Sequence, residues 1–266
     1  MNSSFTKYAL ITGASSGIGW HLSIELAQRG YSIIAVSNQP QQLEDLKKEL
    51  EQKYAVQVFT LNLNLALPDS AKQVFDFCEA NSIEVEALVN NAGILIFGEA
   101  ARVEYAKAAT ILQLHMNTPA LLCRLFGEKM MARKKGFILN VSSISSVMPY
   151  PGISLYGPSK TFLRYFTRAL RTEMKLYEVN VTCLLPGATA TALYDTHNIN
   201  VPLAMKLGVM KKPEGIAKAG VNALFNNRAE CIPGWINKLT VRIIPYVPHV
   251  FIGLIHKSAR FVKRKG

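Results

Sequence analysis

The chain has 266 residues, 49% hydrophobic and 18% charged, with a formal net charge of +12. That length fits one doubly wound α/β domain with a full core, and the composition excludes disordered, collagen-like and coiled-coil chains. Four cysteines scattered without a CxxC pair, and five histidines without zinc-ligand spacing, point to reduced thiols in a cytoplasmic protein that holds no metal.

A polar stub lacking a basic leader precedes the first apolar run, Tyr8–Thr12, so no processed segment is expected there. That run reads as a strand. It is followed by Thr12-Gly13-Ala14-Ser15-Ser16-Gly17-Ile18-Gly19, which opens a helical pattern over Gly17–Arg29. Between strand and helix the three glycines have separate uses: a tight turn at Gly13, approach of a pyrophosphate at Gly17, and close helix–sheet packing at Gly19. The second strand, Ser32–Ser37, ends in Ser37-Asn38-Gln39, where a dinucleotide's adenosine ribose would lie. An NAD site places a carboxylate there and an NADP site a basic group. This chain has neither, and Ser37 and Asn38 also suit a plain strand-end turn.

A helix over Gln41–Gln52 and a strand over Val56–Leu61 lead to Asn62 and Leu63. After a helix over Asp69–Ala80, the strand Ala87–Asn90 runs into the polar turn Asn90-Asn91-Ala92-Gly93, well placed to touch a nucleotide. A long helix over Ala108–Arg133 contains Asn117. The fifth strand, Phe137–Ser142, runs into the hydroxyl of Ser143, and the helix over Ser154–Tyr177 carries Tyr156 and Lys160. Residues i and i+4 share a helix face, so the Lys160 ammonium can lower the pKa of the Tyr156 phenol toward working pH, as a general acid/base requires. A strand over Asn180–Leu185, then Pro186-Gly187, and a weaker strand at Glu230–Ile232 complete the series. Strands alternating with longer amphipathic runs predict βαβ units, hence a parallel sheet with helices on both faces and ligands at the carboxyl ends of the strands.

Taken together, Gly13, Gly17 and Gly19, the Asn90–Gly93 turn, Asn117, Ser143, Tyr156, Lys160, Pro186-Gly187 and Thr191 resemble the short-chain dehydrogenase/reductase family over roughly residues 7–233. The resemblance implies a single Rossmann-like domain with a seven-stranded sheet in the order 3-2-1-4-5-6-7. It makes Tyr156 the proton donor and acceptor and Ser143 the group that orients a carbonyl. Lys160 tunes Tyr156 and holds the nicotinamide ribose, and Asn117 supports a relay water beside Lys160. Cofactor contacts fall to Gly13, Ser15, Ser16, Gly17, Ile18, Gly19, Ser37, Asn38, Asn62, Leu63, Asn90, Asn91, Ala92, Gly93, Tyr156, Lys160, Pro186, Gly187, Thr189 and Thr191. Asn62 takes the place of the family's adenine-binding aspartate.

The implied activity is an NAD(P)-dependent oxidoreductase acting on a lipophilic carbonyl or secondary alcohol such as a 3-oxoacyl, sphingoid or steroid-like compound. NADP(H) is preferred, because no carboxylate ends the second strand, with NAD(H) left open. The alternative is a non-catalytic nucleotide-sensing regulator on the same fold, which would have no need of the intact Ser143, Tyr156 and Lys160 set. A homo-oligomer is expected through the long helices.

The domain is expected to end near residue 233, leaving a basic amphipathic helical extension over 234–266. Residues 231–266 hold Lys238, Arg242, Lys257, Arg260, Lys263, Arg264 and Lys265 and no carboxylate. The apolar run Ile243–Ile255 is too short to cross a bilayer. Two readings of the extension stay open: an apolar face packed on the protein, or peripheral contact with an anionic membrane. No nucleic-acid recognition motif accompanies the charge.

Overall fold

The computed structural model describes residues 6–147, 150–190, 210–248, 250–251 and 253. Its strands are β1 (Tyr8–Thr12), β2 (Ser32–Ser37), β3 (Val58–Asn62), β4 (Val85–Asn90), β5 (Gly136–Val141), β6 (Val179–Leu184), β7 (Ala188–Thr189), β8 (Met210–Lys211) and β9 (Glu230–Cys231). Seven of them form one sheet in the order β3-β2-β1-β4-β5-β6-β9, and every pairing in it is parallel. β7 and β8 form a separate short pair that was not expected, since two residues are too few to carry a period-2 pattern.

Parallel strands need crossovers, and these are helical: α1 (Gly17–Ala27), α2 (Pro40–Lys53), α3 (Ser70–Ala80), α4 (Tyr105–Leu112), α5 (Thr118–Ala132), α6 (Tyr156–Met174) and α7 (Pro213–Phe225), while α8 (Trp235–Ile243) follows the last strand. Leu22, Leu26, Leu43, Leu46, Leu50 and Val221 seal α1, α2 and α7 onto one face of the sheet. Val74, Leu122, Phe126, Met130, Leu170 and Met174 seal α3, α5 and α6 onto the other. Covered on both faces, β2 and β4 bury all six of their residues. Each fully buried Leu or Ile adds about 1.5–3 kcal/mol, so truncating Leu46 or Leu88 to alanine would cost about 2–5 kcal/mol.

The helix expected over Ala108–Arg133 is interrupted. α4 ends at Leu112, Gln113–Asn117 form a π turn in which the Thr118 N–H reaches Gln113 O, and α5 begins at Thr118. Pro119 explains the break. It has no N–H to offer the His115 carbonyl four residues back, and its ring would clash with that carbonyl in a regular helix. Beyond residue 233 the chain continues into α8, whose Asn237 and Val241 are buried, and Asn237 packs against Gly187.

Candidate active site

The carboxyl ends of β1, β2, β4 and β5 open onto one cleft. Beneath it the turn after β1 adopts backbone angles that glycine takes most readily, with φ +64° at Gly13 and +55° at Gly17. A Cβ at Gly13 would lie 2.8 Å from Ala92 Cα, and one at Gly19 would lie 2.0 Å from Gly13 O. The loop after β4 clamps this turn: Asn91 Nδ2 donates to Thr12 O and Gly13 O at 3.0 Å, and Thr12 Oγ1 accepts from the Asn91 and Ala92 N–H groups. The Ser15 and Ser37 hydroxyls meet at 2.8 Å and tie the turn to the end of β2. A tight glycine turn that feeds the N-terminus of α1 into the cleft fits a dinucleotide pyrophosphate, which needs backbone N–H groups and close approach.

Gly13, Ser15, Ser16, Gly17 and Ile18 line the cleft, and so do Ser37, Asn38, Leu63, Asn91, Ala92, Gly93, Pro186, Gly187 and Thr189. Gly19 lies behind them, where it packs helix against turn. Among the described lining residues there is no carboxylate, and Lys160 is the one lysine or arginine.

Two asparagines expected in the cleft are elsewhere. Asn62 ends β3 in register with Ser37 and is exposed outside the cleft. Asn64 lines the cleft instead, its Oδ1 accepting the Ala66 N–H at 3.0 Å. In Leu61-Asn62-Leu63-Asn64-Leu65 both asparagines satisfy the same alternation, and the strand's end selects between them. Asn90 is buried in the core, where its Nδ2 donates to Asn140 Oδ1 at 2.8 Å and approaches Cys123 Sγ at 3.2 Å. It is structural rather than a lining residue. Thr191 lies outside the described residues.

At the other end of the cleft, Ser143, Tyr156 and Lys160 come together. Ser142, the last residue before Ser143, anchors α6 by donating from Oγ to Lys160 O at 2.7 Å. Lys160 is 4% exposed; its Nζ donates to Val141 O at 3.0 Å and lies 5.9 Å from the centre of the Tyr156 ring. Burial pushes its ammonium down to about 8. The Ser143 Oγ accepts the Ser145 N–H at 3.1 Å, which leaves its proton free to be donated.

Asn117 does not reach this cluster. Its exposed side chain donates to Gln113 Oε1 at 2.9 Å on the outer side of the π turn. The residue beside Lys160 is His115, two positions earlier: a Cβ at Gly93 would lie 3.0 Å from His115 Nε2 and 3.5 Å from Lys160 Nζ. The His115 ring is fully buried and stands edge-on to Tyr156 at 5.5 Å. Its hydrogen bonds fix one tautomer. Ser159 Oγ donates to Tyr156 O at 2.8 Å, so at 3.0 Å it accepts from His115 Nδ1–H, while the bare Nε2 accepts the Ile94 N–H at 3.0 Å. Burial and the neighbouring Lys160 ammonium hold the imidazole well below the usual histidine range. His115 is thus a neutral strut joining the loop after β4 to α6. The sequence signal for it was Thr118-Pro119, a helix breaker inside an otherwise continuous pattern.

The profile of the short chain dehydrogenase family matches residues 7–201. The chain is 33% identical over 194 residues to a very-long-chain 3-oxoacyl-CoA reductase-A of Danio rerio, covering 70% of this chain and 59% of that one. It is 32% identical over 202 residues to the human (Homo sapiens) 17-beta-hydroxysteroid dehydrogenase type 3, covering 74% and 64%. The matched stretch therefore spans about three fifths of those relatives' own length. Among solved structures, a short-chain dehydrogenase from Sphingobium yanoikuyae in complex with NADPH superposes with a TM-score of 0.78 at 22% identity, covering 97% of this chain and 96% of that one. A 7beta-hydroxysteroid dehydrogenase gives 0.82 at 22% identity, covering 89% and 90%. At such identities these two likenesses speak for the fold.

Proposed function

The chain belongs to the short-chain dehydrogenase family, and on that footing we propose that it is an NAD(P)-dependent oxidoreductase interconverting a lipophilic ketone and its secondary alcohol. The turn of Gly13, Ser15, Ser16 and Gly17 with Ser37 and Asn38 would hold a nicotinamide dinucleotide, which would supply or take up the hydride. The protein's own part is proton transfer and orientation. In reduction the Ser143 hydroxyl donates to the carbonyl oxygen and holds the carbon in place, and the Tyr156 hydroxyl gives that oxygen its proton. Lys160 stabilises the phenolate that remains, and His115, neutral and immobile, fixes the loop and helix on which these groups stand. The observation that carries this reading is the buried Lys160 ammonium beside Tyr156 at the end of a glycine-floored cleft. A buried cation with one carbonyl acceptor is costly unless a bound group or reaction uses it.

A lipophilic substrate is supported by the absence of a carboxylate among the described lining residues, and by Phe97 and Tyr150, exposed aromatic rings on the loops after β4 and β5. Those loops pair through the Gly98 N–H and Gly152 O at 2.8 Å. The relatives' names, a 3-oxoacyl-CoA reductase and a hydroxysteroid dehydrogenase, agree with it. NADP(H) is the proposed cofactor because no acid at Ser37, Asn38 or Gln39 would repel a 2′-phosphate.

The test is a panel of 3-oxoacyl thioesters, steroid ketones and sugar ketones offered with NADPH and with NADH, followed at the reduced-nicotinamide absorbance. Turnover of an apolar ketone with NADPH is expected. Tight nucleotide binding without turnover of any ketone would overturn the enzyme reading in favour of a sensor.

A further inference from the structure

The exposed side of α8 is apolar where an ordinary surface helix is polar. Trp235, Leu239 and Ile243 recur at intervals of four and are 74%, 50% and 51% exposed. The opposite side of the helix carries the buried Asn237 and Val241. Lys238 and Arg242, both exposed, flank the apolar stripe along one edge. The stripe continues past the helix through Tyr246, Val250 and Phe251, which are 85%, 73% and 56% exposed. Singly exposed apolar residues need no explanation, but a contiguous row of them does.

We propose that this face docks onto an anionic lipid surface. Charge decides the occupant. Residues 231–266 carry seven lysines and arginines and no carboxylate, so a second copy seated on the same face would bring like charge against like. An anionic bilayer matches both halves of the pattern: Trp and Tyr with Leu and Ile for the interface, Lys and Arg for the headgroups. No helix among the described residues is long and apolar enough to cross a membrane. The face is also close to the cleft. Asn237, on the inner side of α8, donates to Pro233 O at 2.7 Å, and a Cβ at Gly187 in the cleft wall would lie 2.5 Å from its Nδ2. A protein held by α8 would thus carry its cleft within one helix diameter of the lipid. The docking itself stands independently of the reductase reading.

The same packing of Asn237 makes deletion of α8 a poor test, so point substitutions on the exposed side are used in the full chain. Binding is measured by flotation with phosphatidylcholine vesicles, with and without phosphatidylglycerol. At low salt the protein is expected to float with the anionic vesicles only and to be released by ~0.5 M salt, where screening is nearly complete beyond a few ångströms. Lys238→Glu with Arg242→Glu should weaken partitioning at least ~30-fold, equivalent to ~1 kcal/mol for each cation lost. Leu239→Ser with Ile243→Ser should abolish it.

A second readout needs neither variant. Trp20 and Trp235 are the two tryptophans, so Trp20→Phe leaves Trp235 as the reporter, and its emission should shift to the blue on anionic vesicles alone. Absence of flotation and of the shift at low salt would overturn the proposal, as would flotation untouched by the α8 substitutions. A shift produced by polyglutamate but not by vesicles would assign the face to an acidic protein instead. Loss of a dimer in the Leu239→Ser, Ile243→Ser chain would assign it to a second copy.

Discussion

Two buried titratable side chains, His115 and Lys160, stand over the same glycine, Gly93, and burial disfavours the charged form of both. For His115 the unfolded chain takes up a proton below pH ~6.5 while the folded chain resists it, so folding stability is lost as pH falls through that value. His115→Asn should cost about 1–3 kcal/mol near pH 8, where two buried hydrogen bonds are altered. It should nevertheless lose less stability than the parent between pH ~8 and ~5; equal slopes in denaturant titrations would contradict the neutral strut. For Lys160 the folded value lies at about 8 and the unfolded one near 10.5, so stability rises with pH between the two and a penalty is carried at neutral pH. Lys160→Met should therefore unfold later at pH ~7, by about 1–2 kcal/mol once the lost bond to Val141 O is counted, while losing turnover. A variant no more stable than the parent would refute the buried-cation cost. Tyr156→Phe should bind nucleotide unchanged and turn over at least ~10²-fold more slowly, the usual worth of a positioned acid. Undiminished turnover would remove Tyr156 from the mechanism.

The end of β2 is the element that faces the adenosine side of the cleft, with Ser37 bonded to Ser15 and Asn38 beside it. Ser37→Asp keeps an acceptor for the Ser15 hydroxyl but sets a negative charge where a 2′-phosphate would lie. It is expected to move preference toward NADH, and Asn38→Arg toward NADPH. The ratio of kcat/KM for the two nucleotides reads both, and a parent that already favours NADH strongly would contradict the NADP(H) proposal. The boundaries of β1, β2 and α2 were legible to within a residue or so, because short apolar runs and capping positions are local signals. The break between α4 and α5 was not read, because apolar periodicity continues through it. A single proline, whose effect lies in a missing N–H, was outvoted by the pattern.

Across the whole molecule, a homo-oligomer through the long helices needs apolar surface on them that the sheet does not cover. Leu122 and Leu170 turn out to be core residues on that face. Leu112, Leu121, Phe162 and Tyr165 remain 39%, 43%, 37% and 61% exposed, and the Phe162 and Phe166 rings stack at 5.9 Å. An isologous dimer through α4, α5 and α6 would cover them. Sedimentation velocity at micromolar concentration should show a species heavier than 29.4 kDa, reverting to monomer in Leu121→Glu with Tyr165→Glu. A parent that sediments only as a monomer would contradict it.

What the sequence determined by itself was everything carried by short-range chemistry. Alternating strands and helices dictated the doubly wound sheet, the glycine spacing dictated the turn under the cleft, and the four-residue step from Tyr156 to Lys160 put both on one helix face. The tertiary structure decided which of several locally equivalent residues occupies each place. Asn62 and Asn64 differ by one strand period, and only the point where β3 leaves the sheet separates them. Asn117 and His115 lie on one π turn, and only the packing of that turn against α6 brings the histidine to Lys160. Local periodicity fixes the face on which a residue lies. Its position along that face is fixed by long-range contacts, which no local pattern encodes.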